Sequence, residues 1–202
     1  KEKMNAELKA LQTQINSHFL YNTLNSIKWM ALMEKSYDIA HAIVALVQVL
    51  EFSSKSQKKV ISLKDEIDFI KNYVLIQKMR YGDCFEVLFD IQENLYDYGI
   101  LKFTLQPIIE NAIIHGFNGK NNGGVVLVKG RLKGSRIVFQ IEDNGVGMVI
   151  NEKEKFSGLG IENVDTRIKL NFGDSYGLKM ESSLGKGTCV TIDMPRIIAE
   201  EV

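Results

Sequence analysis

Glu110-Asn111-Ala112-Ile113-Ile114-His115-Gly116, Asp143-Asn144-Gly145-Val146-Gly147 and Gly158-Leu159-Gly160 follow one another along the chain, and their order decides how the rest is read. The first stretch sets an amide and an imidazole four residues apart, on one face of a helix. The second ends a strand in a carboxylate followed by glycines, which let backbone approach a ligand closely. The third opens another helix, whose N-terminus offers unpaired N–H groups and partial positive charge to phosphate. Together they predict a nucleotide pocket built without a P-loop, completed by Gly185, Gly187 and Thr188.

Each residue has an expected task. The Asn111 amide oxygen is a hard ligand suited to Mg²⁺, which keeps several waters and binds nucleotide phosphates beside few protein ligands. His115 is placed to donate to a phosphate. Asp143 can accept from the exocyclic amine of adenine, and the Thr188 hydroxyl can share a water with it. A polar run between Met148 and Ser157, carrying Lys153 and Lys155, reads as a lid over the nucleotide. Taken alone the motifs are weak, since Asp-Asn-Gly is by itself a good turn.

Upstream, Gln14-Ile15-Asn16-Ser17-His18-Phe19-Leu20-Tyr21-Asn22-Thr23-Leu24-Asn25 puts a histidine on a helix that runs to about Met33. At 3.6 residues per turn Leu20, Leu24 and Ile27 gather on one side, and His18, Asn22 and Asn25 lie opposite. Met4, Leu8, Leu11 and Ile15 space four-three-four, a coiled-coil seam. A second helix over 37–53 carries Ile39, Ile43, Leu46, Val47 and Leu50 on one face. Two such helices cannot bury this apolar surface alone, so pairing into a homodimeric four-helix bundle is expected. A polar break over 53–59 separates a helical domain, 1–60, from a larger domain, 61–202.

In the larger domain, Ser62 reads as an N-cap for a helix reaching Tyr81. Strands are expected over 84–91, 125–132, 137–142, 178–182 and 188–194, and helices over 103–117 and 160–172. The 202 residues are 45% hydrophobic and 25% charged, with 25 basic and 25 acidic groups. That balance argues against a nucleic-acid partner. No apolar run reaches membrane-spanning length, and no signal peptide opens the chain. A heptad-like pattern already running at Lys1 suggests the C-terminal piece of something longer. Cys84 and Cys189 lack metal-ligand spacing and read as buried free thiols.

The combination resembles histidine kinases of the LytS/YesM type, in the superfamily of gyrase, heat-shock chaperone, histidine kinase and MutL ATPases (GHKL). Residues 14–25 resemble that family's phospho-acceptor helix, 105–116 its asparagine box, and Ile76-Gln77-Lys78-Met79-Arg80-Tyr81 another family motif. The resemblance implies an α+β fold: an N-terminal helical dimerisation and phospho-acceptor hairpin, then a two-layer α/β sandwich of the Bergerat ATP-binding type. It implies ATP with Mg²⁺, a response regulator receiver domain that takes the phosphate at an aspartate, and a preceding membrane-bound sensor. That would hold this piece at the cytoplasmic side of a bacterial plasma membrane.

The resemblance also has departures. Ser17 stands where the family has proline, which should leave a straighter helix at His18. Phe19 follows the histidine where many other histidine kinases carry an acid, which makes Glu110 a candidate base. Pro107 occupies the place, four residues before Asn111, where the superfamily's ATPases carry a water-activating glutamate. The expected reaction is transfer of the ATP γ-phosphoryl group to His18. The alternatives are a catalytically weak, ATP-gated dimer that binds or dephosphorylates a response regulator, and an ATP-hydrolysing clamp, which Pro107 disfavours.

Overall fold

The computed structural model describes residues 17–55, 58–117, 123–149 and 159–198. The seam Met4 to Ile15, the lid with Lys153 and Lys155, and Gly158 lie outside the described residues. Two compact units divide between Lys55 and Ser56.

The helical unit is a hairpin of α1 (Ser17–Met33) and α2 (Tyr37–Lys55). Lys35 takes the left-handed conformation, φ 56°, and Ser36 N–H donates to the Ala31 carbonyl at 2.8 Å. This wraps the last carbonyls of α1 and reverses the chain. The start of α1 meets the end of α2, where the Tyr21 and Ser54 hydroxyls lie 3.2 Å apart. Ala31, Ala40, Ile43 and Ala45 are buried between the helices. Phe19, Trp29, Met30, Met33 and Tyr37 are exposed, and Ile27 and Ile39, which fall on the predicted apolar faces, are about half exposed. The hairpin therefore buries only part of its apolar surface.

The second unit begins with β1 (Val60–Ser62), whose Ser62 hydroxyl accepts from Asp65 N–H at 3.1 Å and caps α3 (Leu63–Tyr81) as expected. After β2 (Phe85–Ile91) and a short 3₁₀ turn, β3 (Gly99–Leu101) pairs antiparallel with β1. Then come α4 (Gln106–Asn111), β4 (Gly124–Lys133), β5 (Arg136–Asp143), α5 (Leu159–Phe172), β6 (Gly177–Ser183) and β7 (Gly187–Pro195). The main sheet has the order β2-β4-β5-β7-β6, with only the β2–β4 pair parallel.

Strand alternation places Val126, Val128, Ile137, Phe139, Ile141, Val190, Ile192 and Met194 on the buried face, with Ile67, Ile70, Ile109 and Ile168 from the helices in the same core. The opposite face carries half-exposed ion pairs, Lys129–Glu142 at 3.1 Å and Arg136–Asp193 at 2.7 Å. Helices followed by a mixed sheet covered on one face make the α+β, two-layer architecture.

Three local expectations need correction. The helix expected over 103–117 is regular only over Gln106–Asn111 and then widens into a π-helical turn, Ala112–Gly116. Phe103 does not start it, because its φ of 59° is incompatible with a right-handed helix. The two thiols are free, as expected, but half-buried rather than buried.

Candidate nucleotide-binding site

A recess with a cavity volume of about 100 Å³ opens between α4 with its π turn, the inner ends of β5 and β7, and the start of α5. Its walls are apolar: Ile108, Ala112, Ile141, Val146, Met148, Ile161, Met180 and Val190. Asn111, His115, Asp143, Gly147 and Thr188 line it too. An apolar slot with a few convergent polar groups suits a flat heterocycle carrying one or two polar edges.

The π turn brings Asn111 and His115 to this recess by a route other than the α-helical one. A π turn bonds i to i+5, so residues four apart no longer stack one turn above the other, yet both side chains reach the lining. Asn111 is half-buried and His115 exposed.

Asp143 ends β5 with its carboxylate clamped. Its Oδ1 accepts from Gly145 N–H at 2.8 Å and from Thr188 N–H at 3.3 Å. These bonds orient the group before any ligand arrives. Thr188 therefore reaches Asp143 through its backbone, while its hydroxyl lies 2.9 Å from that of Ser182. The Ser182 hydroxyl donates to the Gly187 carbonyl at 3.0 Å and accepts from Met148 N–H at 2.9 Å. With the Ser182 proton committed, the Thr188 hydroxyl donates to Ser182. Ser182 was not anticipated, since a serine on an alternating strand carries no motif signal.

The glycines have a packing reason as well as a ligand reason. A Cβ on Gly145 would sit 2.3 Å from the Gly116 carbonyl oxygen, and one on Gly147, at φ 62°, would sit 2.0 Å from that of Ser183. Gly187, at φ 90°, would meet the Asp143 carbonyl oxygen at 1.9 Å. The loop threads between two backbones, with Val146 N–H donating to Gly116 at 2.8 Å and Gly185 N–H to Val146 at 2.7 Å. Gly160, in the first turn of α5, differs: a Cβ there would meet Pro107 at 3.5 Å, an ordinary contact.

Glu110 is placed elsewhere. It is half-buried, is not among the residues lining the recess, and stands beside Tyr73 of α3. Burial first, and then the Glu110 carboxylate, hold the Tyr73 phenol above its ordinary range. Sequence reasoning also missed a buried charged cluster behind α4. Glu66 is fully buried, its Oε2 accepting from Phe103 N–H at 2.9 Å and its Oε1 from Leu105 N–H at 3.1 Å. Burial pushes its carboxyl up, against the pull of those backbone N–H groups and of Arg167.

In the helical unit His18 is exposed on α1, and the Asn22 amide nitrogen lies 3.3 Å from its Nδ1 and 3.4 Å from its Nε2. Among the described residues no group of three or more His, Cys, Asp or Glu side chains could hold a metal ion. No helix among them is long and apolar enough to cross a membrane.

Residues 6–85 match the family model described as histidine kinase, and 97–198 match the histidine kinase-, DNA gyrase B- and HSP90-like ATPases. The chain belongs to the sensor histidine kinases of the YesM and LytS type. It is 36% identical to sensor histidine kinase YesM of Bacillus subtilis over 94% of its length, and 30% identical to sensor protein LytS of Staphylococcus saprophyticus over 97%. It is 33% identical to sensor histidine kinase BtsS of Escherichia coli over 94%. The chain spans about a third of the length of these relatives, 33% of YesM, 35% of LytS and 33% of BtsS.

The fold is shared with solved kinases. The histidine kinase domain of the Erythrobacter litoralis EL346 blue-light activated histidine kinase superposes with a TM-score of 0.53 at 15% identity, covering 89% of this chain and 93% of that one. The catalytic domain of histidine kinase ThkA gives 0.50 at 18%, covering 69% and 97%. In this chain of the YesM/LytS family, His18 falls in the first matched segment, and Asn111, His115, Asp143 and Thr188 fall in the second.

Proposed function

We propose that this chain is the catalytic part of a sensor histidine kinase that moves the γ-phosphoryl group of ATP to His18. From there the group passes to an aspartate on the receiver domain of a response regulator. The observation that carries this reading is the apolar recess ending on a carboxylate already oriented by Gly145 and Thr188. An oriented acceptor in a dry slot selects the exocyclic amine of adenine over the carbonyl that guanine presents at that edge.

In this reading 61–202 is the ATP-binding domain and 1–60 the acceptor and dimerisation domain. Ile108, Ile141, Met180 and Val190 sandwich the base, Asp143 reads its amine, and Thr188 with Ser182 fixes the loop beside it. Asn111 and His115 face the phosphates, helped by the α5 N-terminus with Gly158, Leu159 and Gly160. The residues present fit Mg²⁺, since an amide oxygen with nucleotide phosphates and water is a normal set for that ion. Mg²⁺ would supply charge neutralisation at the transferring group, with Asn111 as its protein ligand.

His18 attacks with an unprotonated Nε2, in the neutral tautomer that keeps its proton on Nδ1 and so forgoes donation from the Asn22 amide nitrogen to that atom. A bond from Nε2 to the γ-phosphorus forms as the bond to the β–γ bridging oxygen breaks, and ADP leaves with that electron pair. The proton left on the ring passes to solvent, since Glu110, the base expected from the sequence, stands beside Tyr73 and not in the recess. The half-exposed apolar residues of α1 and α2 are covered by a second copy, giving a homodimer. The longer protein would be membrane-anchored at the cytoplasmic face, with this part in the cytoplasm.

The test is calorimetric. Mg·ATP should bind the chain, GTP should bind at least tenfold more weakly, and Asp143→Ala should remove that preference. Equal affinity for both nucleotides would overturn the assignment of Asp143.

A further inference from the structure

α4 is an unusual carrier for a metal ligand. It has six residues of regular helix and widens immediately after Asn111. A helix this short has no cooperative stability of its own, so its direction is set by whatever holds its start. Its N-cap residue, Leu105, is in the helical conformation and supplies no side-chain cap. The cap comes instead from another helix. Glu66 on α3 takes the N–H groups of both Phe103 and Leu105, one on each carboxyl oxygen. From the far side, Arg167 on α5 gives its Nη2 to the Phe103 carbonyl at 2.7 Å and to the Thr104 hydroxyl at 3.3 Å. Thr104 is fully buried and donates to the Leu101 carbonyl at 2.6 Å. Phe103, held at φ 59°, packs its ring edge-on against Phe69 of α3, with centroids 5.4 Å apart, and lies under the Lys102 ammonium at 4.8 Å.

We propose that Glu66 and Arg167 are positioning residues for the metal–phosphate end of the site, fixing the loop 102–105 so that Asn111 is aimed into the recess. The inference rests on the reading of Asn111 as the Mg²⁺ ligand and goes beyond it. Two observations favour positioning over mere stability. The clasp acts at the root of the Asn111 helix, on Phe103 to Leu105, six to eight residues before the ligand itself. It also joins that helix to α5, whose first turn abuts α4 at Gly160 and Pro107. One loop thus sets the spacing between the amide that meets the metal and the helix end that meets the phosphates. Of the groups assigned to the base, Asp143, Ile141, Met180 and Val190 stand on strands outside this linkage, and only Ile108 rides on α4. Losing the clasp should therefore damage the metal–phosphate end more than the adenine end.

The experiment compares binding of Mg·ATP with binding of ATP in EDTA, using wild type, Glu66→Leu, Arg167→Lys and, as a control, Ile70→Val. Ile70 is fully buried on the same helix as Glu66 but makes no part of the clasp. Expected is a loss of roughly tenfold or more in Mg·ATP affinity for the clasp variants, the scale typical of outer-shell partners of metal ligands. Metal-free ATP should change by less than about twofold, and Ile70→Val, though less stable, should keep the wild-type ratio. If Glu66→Leu does not fold, Arg167→Lys decides alone, because lysine keeps the charge and loses the planar Nη2 donor that reaches both the Phe103 carbonyl and the Thr104 hydroxyl. A wild-type ratio in a folded clasp variant overturns the proposal, as does an equal loss for both ligands. Wild type that binds ATP without any help from Mg²⁺ would instead sink the Asn111 assignment beneath it.

Discussion

Asp143 and the glycines around it show how much of this site is backbone geometry. One carboxylate oxygen is held by two N–H groups, so the side chain is ready as an acceptor. Removing it in Asp143→Ala should weaken ATP roughly 10- to 100-fold, the range of about 1.5–3 kcal/mol for a hydrogen bond to a charged group. Titration calorimetry of the folded variant checks it. Two glycines separate strain from crowding. Gly134 has φ 62° with open space around it, whereas Gly187 has φ 90° and a backbone oxygen 1.9 Å from where Cβ would stand. Gly134→Ala should cost about 1 kcal/mol, the strain of a left-handed residue alone. Gly187→Ala should cost clearly more, about 3 kcal/mol or above, because the Asp143 carbonyl cannot move without releasing its strand. Urea midpoints for the pair test the difference.

The helical turn at Lys35 is another place where conformation, not contact, is limiting. A lysine at φ 56° pays for a geometry that glycine adopts freely. Lys35→Gly should raise the stability of the hairpin by roughly 0.5–1 kcal/mol, read from urea unfolding of the helical signal. At this scale much was legible in advance. The N-cap at Ser62 and the alternation of Val126, Val128, Ile137, Phe139 and Ile141 follow from local chemistry, and the structure has them. The pieces that were not legible depend on distant partners. β1 and β3 are three residues each and exist by pairing with one another. The π turn after Asn111 looks like ordinary helix to any test of periodicity. Glu66 resembles a first-turn acid placed for the helix dipole, and only the fold shows that it caps a different helix. The positions of Asn111, His115, Asp143 and Thr188 around one recess were foreseen, whereas Ser182 and the walls Ile108, Met180 and Val190 emerge only when strands are set side by side.

For the molecule as a whole, the described helices leave Trp29, Met30 and Met33 at 62%, 60% and 74% exposure. Such residues at neighbouring positions of one hairpin mark a surface that wants covering. If a second copy covers it, Trp29→Glu together with Met30→Glu should convert a dimer to a monomer in sedimentation velocity while nucleotide binding by the other unit persists. A variant that sediments as wild type would remove the hairpin face from the interface.

The central claim is that a nucleotide held at Asp143 delivers its terminal phosphate to His18, and γ-labelled ATP tests it most directly. With Mg²⁺, the wild-type chain should acquire label that is stable in alkali and lost in acid, α-labelled ATP should leave none, and Asp143→Ala should acquire far less. His18→Gln should bind ATP and stay unlabelled. Label that persists on a folded His18→Gln chain would contradict the account.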